Sequence, residues 1–223
     1  MICQLCQTFI KQTPSLLQMF GLIRWQPNKL CQACQLEFVS ISCACSGCGR
    51  QQNNESLCFD CQRWEKQGKI LLQHTALYQY NDAMRDFMQR YKFNGDYSLR
   101  QIFNHELIQY VNNMAIDLVV VIPISEYTMM TRGFNQTVGL FEGMTLSDLL
   151  KVKAKNKSHQ SQFNRKGRMM RTQPFTVSKS LPLHNKRVLL VDDVYTTGNT
   201  LYHAADLLYD LGAKNVKSLS LAR

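Results

Sequence analysis

The sequence predicts an α/β protein, a parallel sheet flanked by helices, preceded by a small N-terminal cysteine-rich domain. Three observations predict this class. All nine cysteines of the 223-residue chain lie before residue 62. From residue 75 onward, apolar runs alternate with stretches of helical periodicity, the pattern of a helix-covered sheet. The run 188–193 ends in two adjacent carboxylates, and hydroxyl-rich residues follow it. We therefore expect two domains, residues 1–70 and 71–223.

The cysteine-rich part contains four Cys-x-x-Cys pairs. A pair of thiolates spaced in this way binds one face of a zinc ion, and a tetrahedral site needs two pairs. The stretch 45–61 has the spacing Cys-x2-Cys-x9-Cys-x2-Cys, and the first two pairs are separated by a longer insert. The expected ligands of two structural zinc ions are Cys3, Cys6, Cys31 and Cys34 for one site, and Cys45, Cys48, Cys58 and Cys61 for the other.

Other interpretations of the cysteines stay open at this stage. The pairs could interleave between the two sites, form a disulfide framework, or bind an iron–sulfur cluster. Cys43 belongs to no pair, and we expect it to be a bystander. The apolar insert 14–25, PSLLQMFGLIRW, is expected to pack on the zinc modules rather than to contact a partner or a membrane.

The first half of the α/β part reads as strand, helix, helix, strand. We predict a strand at 75–80 and a helix at 82–93 that Gly95 ends, because apolar residues recur there at helical spacing. A second amphipathic helix is predicted at 99–114. The run 117–124, DLVVVIPI, is apolar on both faces, as strands of parallel sheets are.

The second half contains the most informative segment. A helix is predicted at about 134–149, and a long loop follows. Between residues 151 and 171 this loop has eight basic residues and no acidic one, which predicts an anionic partner. We then expect a strand at 187–193, a helix at 199–211 with Gly212 after its end, and a last strand at 216–222.

The segment VLLVDDVYTTGNT at 188–200 indicates a binding site. In open parallel sheets, ligands bind at the carboxyl ends of the strands. Asp192 and Asp193 lie at such an end, and two neighbouring carboxylates suit the vicinal hydroxyls of a ribose. The residues that lead into the next helix are expected to bind a phosphate together with the free backbone N–H groups of the helix N-terminus. These residues are Thr196, Thr197, Gly198, Asn199 and Thr200. A diol beside a phosphate indicates a ribose 5-phosphate.

Three other kinds of protein segment share features with residues 188–200. The hydroxyl-rich residues could be an ordinary helix cap after a solvated strand end. A receiver domain begins with a similar strand, but too few residues follow here. A Walker-type ATPase requires Gly-x4-Gly-Lys-Ser/Thr, and the sequence does not contain it.

Composition limits the cellular context. The formal net charge is +10, and hydrophobic residues make up 45% of the chain. No apolar run approaches the roughly 18 residues that a membrane-spanning helix needs. The N-terminus has no basic region followed by a cleavage pattern. The sequence therefore predicts a cytoplasmic protein.

The thirteen residues 188–200 resemble the phosphoribosyl-pyrophosphate (PRPP) motif of type I phosphoribosyltransferases. With VIPISEYTMMTRGFNQ at 121–136, MRDFMQRYKFNGDYSLR at 84–100, NRKGRMMRTQPF at 164–175 and the cysteine-rich front, the whole chain resembles the ComF family, on its ComFC branch. The resemblance implies that a phosphoribosyltransferase-like domain follows a double zinc ribbon. It also implies support of natural transformation, the import of single-stranded DNA into the cytoplasm, with a helicase partner.

The resemblance further assigns roles to individual residues. Asp192 and Asp193 would hold the ribose hydroxyls, and the turn around Ser125 would take the place of the pyrophosphate loop. Arg132 would reach the same anion, and Arg165 and Arg168 would belong to a loop that closes over the site. Mg²⁺ would accompany the pyrophosphate.

Three functions compete. The first is a DNA-uptake factor that contacts single-stranded DNA and a helicase, at or near the inner face of the membrane, and carries a PRPP site. The second is an enzyme that transfers ribose 5-phosphate from PRPP to a base or amine. The third is a zinc-organised adaptor without a ligand. The sequence favours the first, because the PRPP segment is intact while no residue of a base-reading hood or general base is evident.

Overall fold

The core of the protein is a four-stranded parallel sheet in the strand order β1-β6-β5-β2. A computed structural model describes residues 1–22, 25, 27–153, 173–178 and 181–223. Its strands are β1 Thr75–Tyr78, β2 Leu118–Val121, β3 Leu150–Val152, β4 Phe175–Val177, β5 Arg187–Val194 and β6 Asn215–Ala222. Its helices are α1 Leu16–Met19, α2 Gln32–Leu36, α3 Phe59–Lys66, α4 Asp82–Phe93, α5 Gln101–Asn112, α6 Glu126–Arg132, α7 Gln136–Leu140 and α8 Asn199–Asp210.

Both faces of the sheet are covered, as the apolar strands require. In β5, Val188 and Leu190 pack in one core with α8, whereas Leu189 and Val191 pack in a second core with α4 and α5. Successive side chains of a strand point to opposite faces, so a strand buried on both sides must be apolar throughout. These observations confirm the predicted fold class.

Helix α4 begins and ends where its sequence predicts. Asn81 caps its N-terminus, with the side chain accepting a hydrogen bond from the backbone N–H of Met84 at 3.0 Å. Its buried residues recur at helical spacing and face the second core: Met84, Phe87, Met88 and Tyr91. Gly95 lies just beyond the end in the left-handed conformation, at φ 73°. The predicted helix 99–114 is a 3₁₀ turn, Tyr97–Arg100, followed by α5.

The helix predicted at about 134–149 is wrong. Within this interval only Gln136–Leu140, which is α7, is helical, and α6 lies before it, ending at Gly133 with φ 83°. Asn135 caps α7, accepting from the backbone N–H of Thr137 at 2.8 Å. Gly133 therefore ends α6 and Asn135 begins α7, and the predicted helix is wrong in its continuation beyond Leu140. Turns follow α7, and β3 begins at Leu150.

The antiparallel strands β3 and β4 flank the basic loop. Leu150 pairs with Val177, and Val152 pairs with Phe175. Most of the basic loop predicted at 151–171, including Arg165 and Arg168, lies outside the described residues. The described part of the chain contains no helix that is long and apolar enough to cross a bilayer.

The cysteine-rich segments pack on both sides of the sheet. Cys3 and Cys34 belong to the core around α4 and α5, whereas Cys48 and Cys61 belong to the core around α8. The expectation that the apolar insert 14–25 packs on these segments is wrong for its described part. Leu16, Met19, Phe20 and Leu22 are 67–77% exposed, and Leu17 is 51% exposed.

Candidate functional site

The segment after β5 joins a strand end to an uncapped helix end. Strand β5 runs through Asp192 and Asp193 to Val194, and α8 begins at Asn199. In the described part of the chain, no side chain caps the N-terminus of this twelve-residue helix, and the N–H groups of its first turn have no side-chain acceptor there. Thr196, Thr197 and Thr200 are exposed beside them. Such a helix end attracts an anion through its dipole and its N–H groups.

Gly198 is required at the turn into α8. Its φ is +82°, a conformation that side chains disfavour. A Cβ atom added to this residue would lie 2.3 Å from the hydroxyl oxygen of Tyr195 and 2.8 Å from its Cζ. The ring of Tyr195, only 4% exposed, thus packs directly under the turn. We call residues 195–200 the phosphate loop, after the ligand that the sequence predicts for them.

The two carboxylates differ in their surroundings. Asp193 is 5% exposed, and its Oδ1 accepts a hydrogen bond from Nε2 of Gln136 at 2.9 Å. Its other oxygen pairs with the ammonium group of Lys92. Asp192 is only partly buried. Its Oδ1 accepts from the backbone N–H of Asp193 at 2.9 Å and from the hydroxyl of Thr137 at 3.4 Å.

Asp192 is therefore the carboxylate that can accept a further hydrogen bond. Among the described residues, the hydrogen bonds of its carboxylate involve Oδ1 alone. The loss of surrounding water, and next the charge of Asp193, raise the pKa of Asp192 well above its usual value. A hydroxyl donor at the other oxygen would stabilise the charged form of this group.

Two cations lie next to this pair of carboxylates. Lys92 is at the last turn of α4 and is 17% exposed. Arg132 donates to Oε1 of Gln136, so this amide bridges Arg132 to Asp193. The guanidinium also lies 5.3 Å from the ring centre of Phe93. Arg132 has no carboxylate partner within the described ranges, and its Nε is buried without a hydrogen-bond partner.

Sequence reasoning missed Lys92 and Gln136. Lys92 is four residues after the buried Met88 on α4, so a lysine on the apolar face of this helix was a usable signal. Gln136 is the last residue of the quoted segment 121–136, but nothing in its spacing points to Asp193. Such contacts between distant segments depend on the tertiary arrangement.

Ser125 lies beyond the end of β2, the strand beside β5. Because both strands are parallel, Ser125 and Asp192 lie at the same carboxyl edge of the sheet. The side chain of Ser125 caps α6, accepting from the backbone N–H of Thr128 at 3.1 Å. Its assignment to a pyrophosphate loop stays a prediction.

The cysteines form two clusters of four: Cys3, Cys6, Cys31 and Cys34, and Cys45, Cys48, Cys58 and Cys61. We call them the first and second cysteine clusters. Within each, all sulfur atoms lie within 4.8 Å of one another, and the distance is 3.6 Å for Cys6–Cys31 and 3.5 Å for Cys48–Cys58. A tetrahedral zinc site with Zn–S bonds of about 2.3 Å places its sulfurs roughly 3.8 Å apart. Both clusters therefore fit zinc, without interleaving of the pairs.

The second cluster is the more enclosed. Its four cysteines are buried, whereas Cys6 of the first cluster is exposed and Cys31 is partly exposed. A hydrogen bond with Cys61, assisted by the charge of Arg223, lowers the pKa of Cys48 to about 5. Gly47 leaves no room for a side chain, because a Cβ would lie 2.7 Å from the sulfur of Cys61. Cys43 lies outside both clusters.

Comparison with known proteins connects these features. Residues 130–223 match the model of the phosphoribosyl transferase domain family. The chain is 37% identical to Competence protein ComFC of Streptococcus pneumoniae (strain ATCC BAA-255 / R6) over 226 residues, covering 100% of both chains. It is 30% identical to Competence protein ComFC of Bacillus subtilis (strain 168) over 232 residues, covering 100% of this chain and 95% of that one.

A solved structure of a hypoxanthine phosphoribosyltransferase from Staphylococcus aureus matches with 17% identity and a TM-score of 0.31, over 63% of this chain and 70% of that one.

Proposed function

Because this chain belongs to the ComFC family of competence proteins, we propose that it supports natural transformation and binds a ribose 5-phosphate compound of the PRPP type. The names of its relatives describe them as competence proteins. The process that we assign to this chain is the uptake of single-stranded DNA. The protein would act in the cytoplasm or at the inner face of the membrane. The binding site would be the phosphate loop and Asp192.

The observation that carries the ligand assignment is the junction of β5 and α8. It holds a carboxylate with an oxygen open to a hydroxyl donor and, a few residues later, an uncapped helix N-terminus. A ribose 5-phosphate presents hydroxyls and a phosphate at opposite ends of one small ring. The same junction would therefore satisfy both ends of this ligand.

The remaining groups suit a pyrophosphate at the anomeric carbon. Among the described residues, Arg132 has no carboxylate partner and a buried Nε without a hydrogen-bond partner, and a guanidinium without a counter-charge stabilises an anion that enters the site. Arg165 and Arg168, which lie outside the described residues, would add positive charge from the basic loop. Mg²⁺ bound with the pyrophosphate would supply further charge neutralisation.

The alternative is an active phosphoribosyltransferase, which the family model for residues 130–223 favours. In that reaction a nitrogen of a base or amine forms a bond to C1 of the ribose. The bond from C1 to the pyrophosphate oxygen breaks, and pyrophosphate leaves with both electrons while the nitrogen loses a proton. No residue of a base-reading hood is evident in the sequence, so we favour binding over transfer.

Single-stranded DNA and a helicase are the proposed partners. The acid-free segment 151–171 is suited to phosphate backbones, and such contacts weaken steeply as the salt concentration rises. For the helicase, the exposed apolar residues of 16–22 supply a surface of the kind that partners bind. Both assignments rest on the family and on these surface properties.

Calorimetric titration tests the ligand assignment. PRPP with Mg²⁺, and ribose 5-phosphate alone, would be titrated into the wild-type protein and into Asp192→Asn. Loss of charged hydrogen bonds of about 1.5–3 kcal/mol should weaken binding roughly 10- to 150-fold. Asp210→Asn is the matched control, since it removes the same charge from the exposed far end of α8. Absence of wild-type binding would contradict the assignment.

Two further measurements separate binding from catalysis and test the role in competence. Release of pyrophosphate from PRPP with any nucleobase or amine would establish the alternative enzyme. In a naturally competent host, replacement of the gene by the Asp192→Asn allele should reduce the number of transformants, whereas the Asp210→Asn allele should not. Normal transformation without the gene would exclude a role in DNA uptake.

A further inference from the structure

Arg223 joins the second cysteine cluster to the phosphate loop. Its Nε donates to the backbone carbonyl of Cys48 at 2.7 Å, and its Nη2 donates to the sulfur of the same residue at 2.9 Å. The guanidinium carbon lies 4.5 Å from the ring centre of Tyr195. One side chain thus contacts both a member of the cluster and the residue that packs under Gly198.

A second contact connects the same two places. The ring of His74 lies 4.4 Å from the ring of Tyr195, and the backbone N–H of His74 donates to the carbonyl of Gly47 at 3.0 Å. His74 is 3% exposed, and its two ring nitrogens are bonded to the hydroxyls of Ser218 at 2.9 Å and Ser220 at 3.0 Å. Arg223 and His74, which both pack against the ring of Tyr195, are therefore both hydrogen-bonded to the segment 45–48.

The helix after the phosphate loop also rests on this cluster. Tyr202, in the first turn of α8, lies 4.4 Å from the ring of Trp64. Trp64 is three residues after Cys61 on α3, so its position depends on the same site. The residues on both sides of Gly198 that support the loop, Tyr195 and Tyr202, thus pack against residues held by the second cluster.

We propose that the second cysteine cluster positions the phosphate loop, and that Arg223 is the positioning residue between them. This inference rests on the ribose phosphate site of the proposed function. Four thiolates around one Zn²⁺ carry a net charge of −2, which holds the guanidinium against Cys48. Metal at the cluster then fixes Arg223 on Tyr195, and the phosphate loop keeps the shape that accepts an anion.

Thermodynamic linkage makes the coupling reciprocal. If zinc at the second cluster strengthens ligand binding by some factor, the ligand strengthens zinc binding by the same factor. Coupling free energies between sites commonly correspond to about 5- to 150-fold changes. Ribose 5-phosphate should therefore raise the affinity of the second cluster for zinc, although the proposed ligand site contains no cysteine.

The test uses Arg223→Gln with Arg50→Gln as its matched control. Arg50 lies near the same cluster and pairs with Asp60, so its loss also removes one positive charge there. Each protein is loaded with zinc, and its metal content is measured before the titration. We expect Arg223→Gln to keep its zinc but to bind ribose 5-phosphate at least about 5-fold more weakly. Arg50→Gln should bind like the wild type.

Two other readouts distinguish positioning from a general loss of stability. At equilibrium with a chromogenic chelator, ribose 5-phosphate should raise the fraction of zinc that the wild type and Arg50→Gln retain, but not the fraction that Arg223→Gln retains. Hydrogen exchange at residues 195–200 should be faster in Arg223→Gln than in Arg50→Gln. If Arg223→Gln fails to fold, Tyr195→Leu tests the same connection from the loop, because it leaves every contact of Cys48 in place.

The outcomes separate this inference from the proposed function. Equal ligand affinity, and an equal effect of ribose 5-phosphate on zinc retention, in wild type and Arg223→Gln would overturn the positioning role and leave the ligand site standing. If the wild type binds neither ribose 5-phosphate nor PRPP, the proposed function fails. In that case only hydrogen exchange at residues 195–200 tests whether Arg223 positions the phosphate loop. Equal exchange rates in Arg223→Gln and Arg50→Gln would overturn this role.

Discussion

Asp192 and Asp193 are neighbours in the sequence, but their contacts indicate different roles. Asp193 is buried with Lys92 and Gln136, whereas Asp192 keeps one oxygen without a hydrogen bond among the described residues. The sequence motif predicts that both carboxylates hold ribose hydroxyls. The contacts of Asp193 favour a division in which it stabilises the fold and Asp192 receives the ligand.

A double-mutant cycle on Asp193 and Lys92 tests this division. Asp193→Asn leaves the ammonium group of Lys92 largely buried without its counter-charge, which typically costs about 3–5 kcal/mol. We expect urea unfolding of the zinc-loaded protein to show a loss near the lower end of that range, because Lys92 is 17% exposed. The double variant Lys92→Met/Asp193→Asn should be more stable than Asp193→Asn alone.

Asp192→Asn is the comparison for this cycle, since it removes the neighbouring carboxylate without breaking an ion pair. If Asp192→Asn and Asp193→Asn lower the free energy of unfolding equally, the proposed division is wrong. Equal stability of Asp193→Asn and the double variant would show that Lys92 does not depend on this carboxylate.

At the scale of elements, a helix was predicted correctly where the residues that determine its ends lie within it or next to it in the sequence. Helix α4 has an apolar stripe and an asparagine cap within its own twelve residues and one neighbour, so periodicity located both ends. The interval 134–149 has apolar residues at similar density, but α7 spans only Gln136–Leu140 of it, and the helix ends at Phe141. Gly143, at φ 89°, lies in the turns that follow, and the prediction extended one helix across them.

The turn into α8 provides a comparison of two glycines in the same backbone conformation. Gly198 has φ +82°, with Tyr195 2.3 Å from a notional Cβ, whereas Gly133 has φ +83° with nothing within 4 Å. Gly133→Ala should cost about 1–2 kcal/mol for the left-handed backbone alone. Gly198→Ala should cost about 1–3 kcal/mol more through overpacking, and it should also weaken binding of ribose 5-phosphate. Thermal unfolding and calorimetry measure the two effects.

The partial relief of this clash supplies a check within the same experiment. Tyr195→Phe removes the hydroxyl oxygen nearest to the notional Cβ, so Tyr195→Phe/Gly198→Ala should be more stable than Gly198→Ala. Equal destabilisation by Gly133→Ala and Gly198→Ala would mean that the ring of Tyr195 does not support the phosphate loop.

For the whole molecule, the two cysteine clusters lie in the two cores on opposite faces of the sheet. Spacing within 45–61 predicts the second cluster, because all its ligands lie in one short segment. The longer separation of Cys6 from Cys31 left the grouping of the first open. The grouping of these four cysteines depends on how residues 1–36 fold back on themselves. The backbone N–H of Gln4, for example, donates to the carbonyl of Lys29 at 2.9 Å. The exposure of residues 16–22 was likewise beyond local patterns.

The burial of the two clusters predicts the order in which they lose metal. Cys6 is exposed and Cys31 is partly exposed, whereas all four cysteines of the second cluster are buried. A chelator that competes for zinc should therefore remove one equivalent quickly and the other slowly, because the second site opens only when its surrounding core does. Absorbance of a chromogenic chelator in excess measures both phases.

Cys6→Ser should abolish the fast phase and keep the slow one, and Cys43→Ser, outside both clusters, should keep both. The melting temperature of the protein should fall further on loss of the slowly released zinc than on loss of the rapidly released one. A metal bound to the folded state stabilises it by mass action, and only the second cluster shares a core with α8. Loss of the slow phase in Cys6→Ser, or release of both equivalents in one phase, would contradict this order. Either result would mean that the two faces of the sheet do not open independently.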